Sequence, residues 1–377
     1  MQQNKKKNLL GLVRALVFTV IFALLFVQGA NMLLPKVRDD ATGRPVNMIT
    51  SCKVMDKNSV DLIIIGNSNA YRGINPMKIW MDTGISSCLI GHSFISETEL
   101  YFRTKDILKY QSPKYIVLET DCMFETENIF ENEEDAELLA VDQKEEKEDD
   151  KFGISKIQSK LEDAESEIFA AIDSRVPLMK FNYRWKQIDM KELKNTSTQR
   201  AFTSKGFLTS HQTKPFMHPD YMGENNGELE PIEDISLKYF NKILNLCKEN
   251  DIQLALVTVP SGNTWNWKKH NTVAKLAEEN GLSYVDFNTD TDLIPTFDWK
   301  EDTKDAGNHL NNKGASKVTK AFEKIIKEDY GLNPSDLTEE QIEKLNTDTE
   351  IFYEKNFKCP KEKSREILEK NQNKFYK

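Results

Sequence analysis

Ser68 and, more than 230 positions further along the chain, Asp305 and His309 have the types needed for nucleophilic acyl chemistry. A serine hydroxyl is a poor nucleophile until a base takes its proton, and an imidazole is an effective base when a third group fixes its tautomer and direction. Ser68 follows Leu62-Ile-Ile-Ile-Gly-Asn67, a short β-branched run stopped by Gly66, and so stands at the carboxyl end of an expected buried strand. His309 lies in Asp305-Ala-Gly-Asn-His-Leu-Asn-Asn-Lys-Gly-Ala315, a polar loop just ahead of a helical pattern. Asp305 is four residues upstream, near enough for one loop to hold carboxylate and ring together. Asp302 is a second candidate for that orienting role. The other histidines, His92, His211, His218 and His270, lack an adjacent carboxylate in such a loop, so His309 is the expected base.

These residues need a scaffold that brings distant loops to one edge, and the patterning supplies one. Pro76 to Asp82 reads as the start of a helix and Ser86 to Ile90 as a second strand ending at Gly91. Tyr101 to Tyr110 is helical in pattern, and Lys114 to Glu119 is a third strand. The alternation resumes with a helix over Leu237 to Cys247, a strand over Gln253 to Val259 and a helix over Val273 to Asn280 capped by Gly281. Leu282 to Phe287 is a fifth strand and Gly314 to Lys327 a last amphipathic helix. Short steps of strand and helix predict an α/β fold, a doubly wound parallel sheet flanked by helices. Such sheets hold ligands at their carboxyl edge, where the strand-to-helix loops converge.

Residues 122–230 break the alternation and read as an insertion over that edge, of the kind that forms lids and substrate walls. It contains an acid-rich run over Glu125 to Asp150 and the aromatic, basic cluster Phe181-Asn-Tyr-Arg-Trp-Lys186. The acid run lacks the turn residues of a calcium loop, so it reads as a solvated segment and no metal site is expected. No cofactor is expected either. Beyond Asn333 the chain is charged and thin in apolar residues, which reads as a peripheral helical tail over 331–377.

At the other end, Lys5, Lys6 and Lys7 precede an apolar stretch from Leu9 to Leu34 interrupted by Arg14. Ala15 to Leu34 is about the length that crosses a bilayer, and the lysines before it predict a single-pass anchor with a cytoplasmic amino terminus over 1–35. Gly29 and Ala30 keep a cleaved signal peptide as the competing reading. The main domain, 36–330, would then lie outside the cell membrane. The net charge of −9 and the lack of a basic stripe past the amino terminus argue against nucleic acid as a partner. The cysteines are scattered with no Cys-x-x-Cys pair, and Cys88 and Cys122 read as buried thiols rather than a bridge.

Gly66-Asn67-Ser68, the second strand ending at Gly91 and Asp305…His309-Leu-Asn-x-x-Gly314 together resemble the blocks of the SGNH/GDSL hydrolase superfamily. The membrane-anchored cell-envelope branch, related to the D-alanyl-lipoteichoic acid protein D and to polysaccharide O-acetyltransferase partners, is the most similar. The resemblance covers residues 60–121 and 235–327 and implies a flavodoxin-like sheet. It also implies Ser68 as nucleophile, His309 as base, Asp305 as its orienting partner and the amides of Ser68 and Gly91 as oxyanion donors. The implied partners are an acylated surface polymer or carrier and a membrane-bound O-acyltransferase. Two departures stand out. The family's first block usually has Asp where this chain has Asn67, and its third usually brings Gly-x-Asn where this chain reads Glu119-Thr-Asp-Cys122. Asn69 or a lid residue is the expected substitute for the missing donor.

Overall fold

A computed structural model of the chain describes residues 2–33, 52, 55–91, 95–125, 203–218, 220–372 and 375. The elements run α1 (Gln2–Leu33), β1 (Leu62–Ile65), α2 (Ser68–Gly73), α3 (Pro76–Thr83), β2 (Ser87–Ile90), α4 (Glu97–Ile107) and β3 (Tyr115–Glu119). They continue with α5 (Asp234–Glu249), β4 (Gln253–Thr258), α6 (Trp267–Asn280), β5 (Ser283–Asp286), α7 (Asn312–Glu328), α8 (Glu339–Phe357) and α9 (Lys361–Gln372).

The five strands form one parallel sheet in the order β2-β1-β3-β4-β5, so the chain reverses its direction of travel at β1 and β3. Every strand of the expected pattern is present in this α/β fold. Alternation along β1 assigns its faces: Ile63 and Ile65 pack with α4, α5 and α6 through Leu100, Phe240, Ile243 and Val273. Leu62 and Ile64 face the opposite way, with Tyr71, Met77, Val318 and Phe322 of α2, α3 and α7. A strand buried on both faces needs apolar residues at every position, which is why β1 reads as an unbroken run.

Two expectations are corrected in this unit. Cys88 on β2 is bridged to Cys52, with Cα atoms 6.1 Å apart, while Cys122 is a buried free thiol. A spacing of 36 residues with no motif gave no hint of that pairing, because Cys52 lies ahead of β1 and outside the sheet. The carboxyl-terminal segment is not peripheral either. Phe352 of α8 and Leu368 of α9 are fully buried, and Trp80 of α3 donates its indole N–H to Asn346 at 3.0 Å. A few apolar residues at helical spacing are enough to dock α8 and α9 on α3.

Of the two units into which the chain divides, α1 belongs to one and the sheet to the other. The described apolar side chains of α1, including Leu16, Phe18, Phe22 and Leu25, are exposed. Among the described residues, no helix is long and apolar enough to cross a membrane. Leu34, the acid-rich run past Glu125 and the cluster Phe181 to Lys186 lie outside the described residues. Residues 203–218 and 220–230 of the expected insertion contain no helix or strand.

Candidate active site

Ser68 is the first residue of α2 and is partly exposed. The turn that delivers it depends on Gly66, whose φ of +156° and close packing on Glu119 and Ala70 leave no room for a Cβ. Gly91, at the end of β2, presses on this turn from the other side, where a Cβ would sit 1.9 Å from the Gly66 carbonyl oxygen. The predicted oxyanion glycine is thus packed against the residue two before Ser68. Asn67 caps α2, its Oδ1 accepting the Asn69 N–H at 2.9 Å.

His309 and Asp305 meet directly. The ring Nδ1 is 2.6 Å from Asp305 Oδ2, and the His309 backbone N–H donates to Oδ1 at 2.7 Å. Lys304 adds a bond to Oδ2 at 3.0 Å. Burial works to raise the Asp305 pKa, but the hydrogen bonds and charge of His309, with Lys304, hold it well below the usual carboxylate range. Asp302 faces elsewhere: its Oδ2 accepts from the Asp298 N–H and from Lys317 Nζ, both at 2.7 Å. The geometry therefore puts Asp305, and not Asp302, on the ring.

The loop carrying the pair is a small hairpin, bridged between Thr303 and Leu310, that leads into α7. It is seated by the loop after β4, where Gly262 N–H donates to the Gly307 carbonyl at 2.7 Å and Ser261 Oγ to that of Asn308 at 3.0 Å. The Phe216 ring lies against both Gly262 and Gly307, in space that a Cβ on either would occupy. Phe216 comes from the expected insertion and carried no signal in the sequence. Its position there makes the described part of that segment a wall of the loop that holds His309.

The helix that starts at Ser68 and the helix that follows His309 pack together. Thr319 of α7 accepts from the Asn75 N–H at 3.0 Å, just past the end of α2. Arg72, one turn after Ser68, is within electrostatic reach of Asp305, although burial itself lowers the guanidinium pKa. No hydrogen bond joins the Ser68 hydroxyl to the His309 ring, whose one bond, at Nδ1, goes to Asp305. Catalytic hydrogen bonds commonly tighten only when substrate is present.

The sequence did not reveal the buried polar groups at the end of β3 and just beyond it. Glu119 is fully buried and accepts from the Val259 N–H at 3.3 Å. Burial first, and then the charge of Asp121, push its pKa far up. Asp121 accepts from both Asn67 and Asn69. Asn69, expected as a substitute donor, is 3 % exposed and commits a side-chain N–H to Asp121 at 3.0 Å. A second histidine pair also escaped notice: His270 Nδ1 is 2.7 Å from Asp286 Oδ2, so His270 does have a carboxylate partner, supplied by β5 rather than by its own loop. Among the described residues no cluster of three His, Cys, Asp or Glu could hold a metal ion. A cleft of about 690 Å³ bordered by Lys78, Leu293, Pro295, Lys317 and Lys320 does not include Ser68, Asp305 or His309.

No protein-family model matches the chain, and no curated protein does. Among solved structures it is similar to a Bacteroides fragilis protein provisionally described as an acylhydrolase, at 11% identity and a TM-score of 0.34. That match covers 77% of this chain and 98% of the other, and is too remote to bear on function. What stands on the structure itself is an α/β chain with a serine at the carboxyl edge of its parallel sheet and an Asp–His pair in a neighbouring loop.

Proposed function

We propose that the chain is an SGNH-type serine esterase or acyltransferase that works through an acyl-enzyme at Ser68. The observation that carries this reading is the Asp305–His309 pair, 2.6 Å apart, in the loop leading to the helix that packs on the Ser68 helix. In the first step the Ser68 oxygen attacks the ester carbonyl while His309 Nε2 takes the hydroxyl proton. Asp305 holds Nδ1 and balances the imidazolium charge. The carbonyl oxygen becomes an oxyanion facing the amides of Ser68 and Gly91, and collapse expels the alcohol with the proton from His309. Water, or the hydroxyl of an acceptor, then attacks the acyl-enzyme with His309 again as base. Hydrolysis and transfer differ only in that last nucleophile.

The substrate class we propose is an acylated cell-surface glycopolymer or its carrier, with the enzyme held at the outer face of the cell membrane through residues 15–34. The lysines in the first turns of α1 and the apolar sequence continuing to Leu34 support an anchor with a cytoplasmic amino terminus. The Cys52–Cys88 bridge supports an oxidising compartment. Tethering raises the effective concentration of a substrate confined to the same surface. A membrane-bound O-acyltransferase is the partner that would supply the acyl group.

The missing bond between Ser68 and His309 favours a second reading, a non-catalytic partner of such an acyltransferase on the same fold. Turnover of p-nitrophenyl acetate by the full chain in detergent separates the two. The enzyme reading expects turnover that is lost in Ser68→Ala. Absence of turnover, with full cellular function of Ser68→Ala, favours the partner. A reporter fused after residue 60 tests the topology and is expected to be active only outside the cytoplasm.

A further inference from the structure

β3 ends at Glu119 and turns at once into the short helix Thr120–Phe124, which brings Asp121 against the start of α2. Asp121 is 5% exposed. Its Oδ2 accepts from Asn67 Nδ2 at 3.1 Å and from Asn69 Nδ2 at 3.0 Å. Those are the two residues on either side of Ser68. Oδ1 is buried without a partner, so the carboxylate is satisfied only on the side that serves the Ser68 turn. An acid buried for packing alone gains nothing from that asymmetry, because an unpaired buried oxygen costs about 1–3 kcal/mol.

The turn needs such a brace. α2 has six residues, too few to hold its own geometry, so its position must be imposed from outside. A nucleophile displaced by about 1 Å can lose on the order of 10²-fold in rate. We infer that Asp121 is the positioning residue of this site, fixing both neighbours of Ser68 through one carboxylate oxygen. The inference rests on Ser68 being the nucleophile. Asn67 donates and Asp121 accepts across 54 positions of sequence, a donor and acceptor that can be exchanged between the two sites.

That exchange supplies the test. Full-chain Asp121→Ala, Asp121→Asn and the reciprocal Asn67→Asp/Asp121→Asn are compared for ester kcat and KM and for amide hydrogen exchange over residues 67–73. The reciprocal pair is made in a Glu125→Gln background, because Asn67 Nδ2 also donates to Glu125 Oε1 at 2.5 Å and a new carboxylate there would face another. Asp121→Ala is expected to lower kcat about 100-fold with KM within about threefold, and to speed exchange over 67–73 but not in the sheet. Asp121→Asn is expected to lose less, and the reciprocal pair to return kcat to within about threefold of Glu125→Gln. Unchanged kcat and exchange in Asp121→Ala, or no recovery in the folded reciprocal pair, overturns the inference. If the parent chain turns over no ester, the assignment of Ser68 fails, and the exchange measurement decides the brace alone. Local acceleration over 67–73 then sustains it, and unchanged exchange overturns it.

Discussion

Two of the described histidines sit against a carboxylate, and they differ in everything except that contact. Asp286 is 1% exposed in its side chain and is fully engaged. Its Oδ2 accepts from His270, from the Trp265 indole at 2.8 Å and from the Tyr284 hydroxyl at 3.2 Å, while Oδ1 takes both the backbone and side-chain N–H of Asn288 at 2.8 Å. The network continues through Thr258 to Thr120, tying β3, β4 and β5 together. His270 is one donor among several in a latch. Asp305 is 28% exposed, and apart from Lys304 its hydrogen bonds are to His309 alone. A carboxylate given over to one ring, in a loop beside the Ser68 helix, suits orienting a base. One shared among five donors suits holding strands.

The sharpest break between the two would come from truncating each ring. His309→Gln is expected to cut ester turnover by at least about 10³-fold with stability nearly unchanged, since catalytic units of this kind lose most of their rate with any one member. His270→Gln is expected to keep turnover within a few-fold and to cost about 1 kcal/mol in urea unfolding. The carboxylates should divide in the same way. Asp286→Asn places an amide among five donors and is expected to destabilise by about 3 kcal/mol, whereas Asp305→Asn should lower kcat with a much smaller change in melting temperature.

Legibility in the sequence followed the same division. All five strands were readable, because each is a short β-branched or apolar run ended by a turn residue, and so was the Asp305–His309 contact, which needs only one loop. The brace at Asp121 was not, since Asn67 and Asp121 are 54 positions apart and meet only because β1 and β3 are neighbours in the sheet. The His270–Asp286 pair is hidden from the sequence for the same reason: the partner lies on a strand rather than in the adjoining loop. Cys52–Cys88 and the seating of Phe216 between Gly262 and Gly307 are likewise products of tertiary approach. Local pattern fixes elements and single-loop sites; contacts between loops require the strand order first.

A milder variant sharpens the contrast further. Phe216→Ala removes the ring that seats the Asp305 loop and reaches the Asp286 network only indirectly, through Tyr221 and its bond to Asn288. It is expected to cost about 3 kcal/mol of stability and to reduce kcat, with hydrogen exchange faster over 303–310 than around 284–288. The smallest effect is in acid. The Asp305 pKa is lowered in the folded state, so its contribution to stability is in place above the ordinary value near 3.8 and is lost as pH falls through the depressed one. Asp305→Asn should therefore show a shallower fall in stability below about pH 4, read from urea midpoints.

The central claim is that Ser68, activated by His309, is the nucleophile, and a fluorophosphonate probe tests it most directly. Attack by the Ser68 oxygen on phosphorus expels fluoride and leaves one stable adduct that peptide mass mapping can place. The expected result is a single adduct on Ser68, absent in Ser68→Ala and in folded His309→Gln and retained in His270→Gln. An adduct elsewhere, no adduct on the folded chain, or equal labelling of His309→Gln and the parent would contradict it.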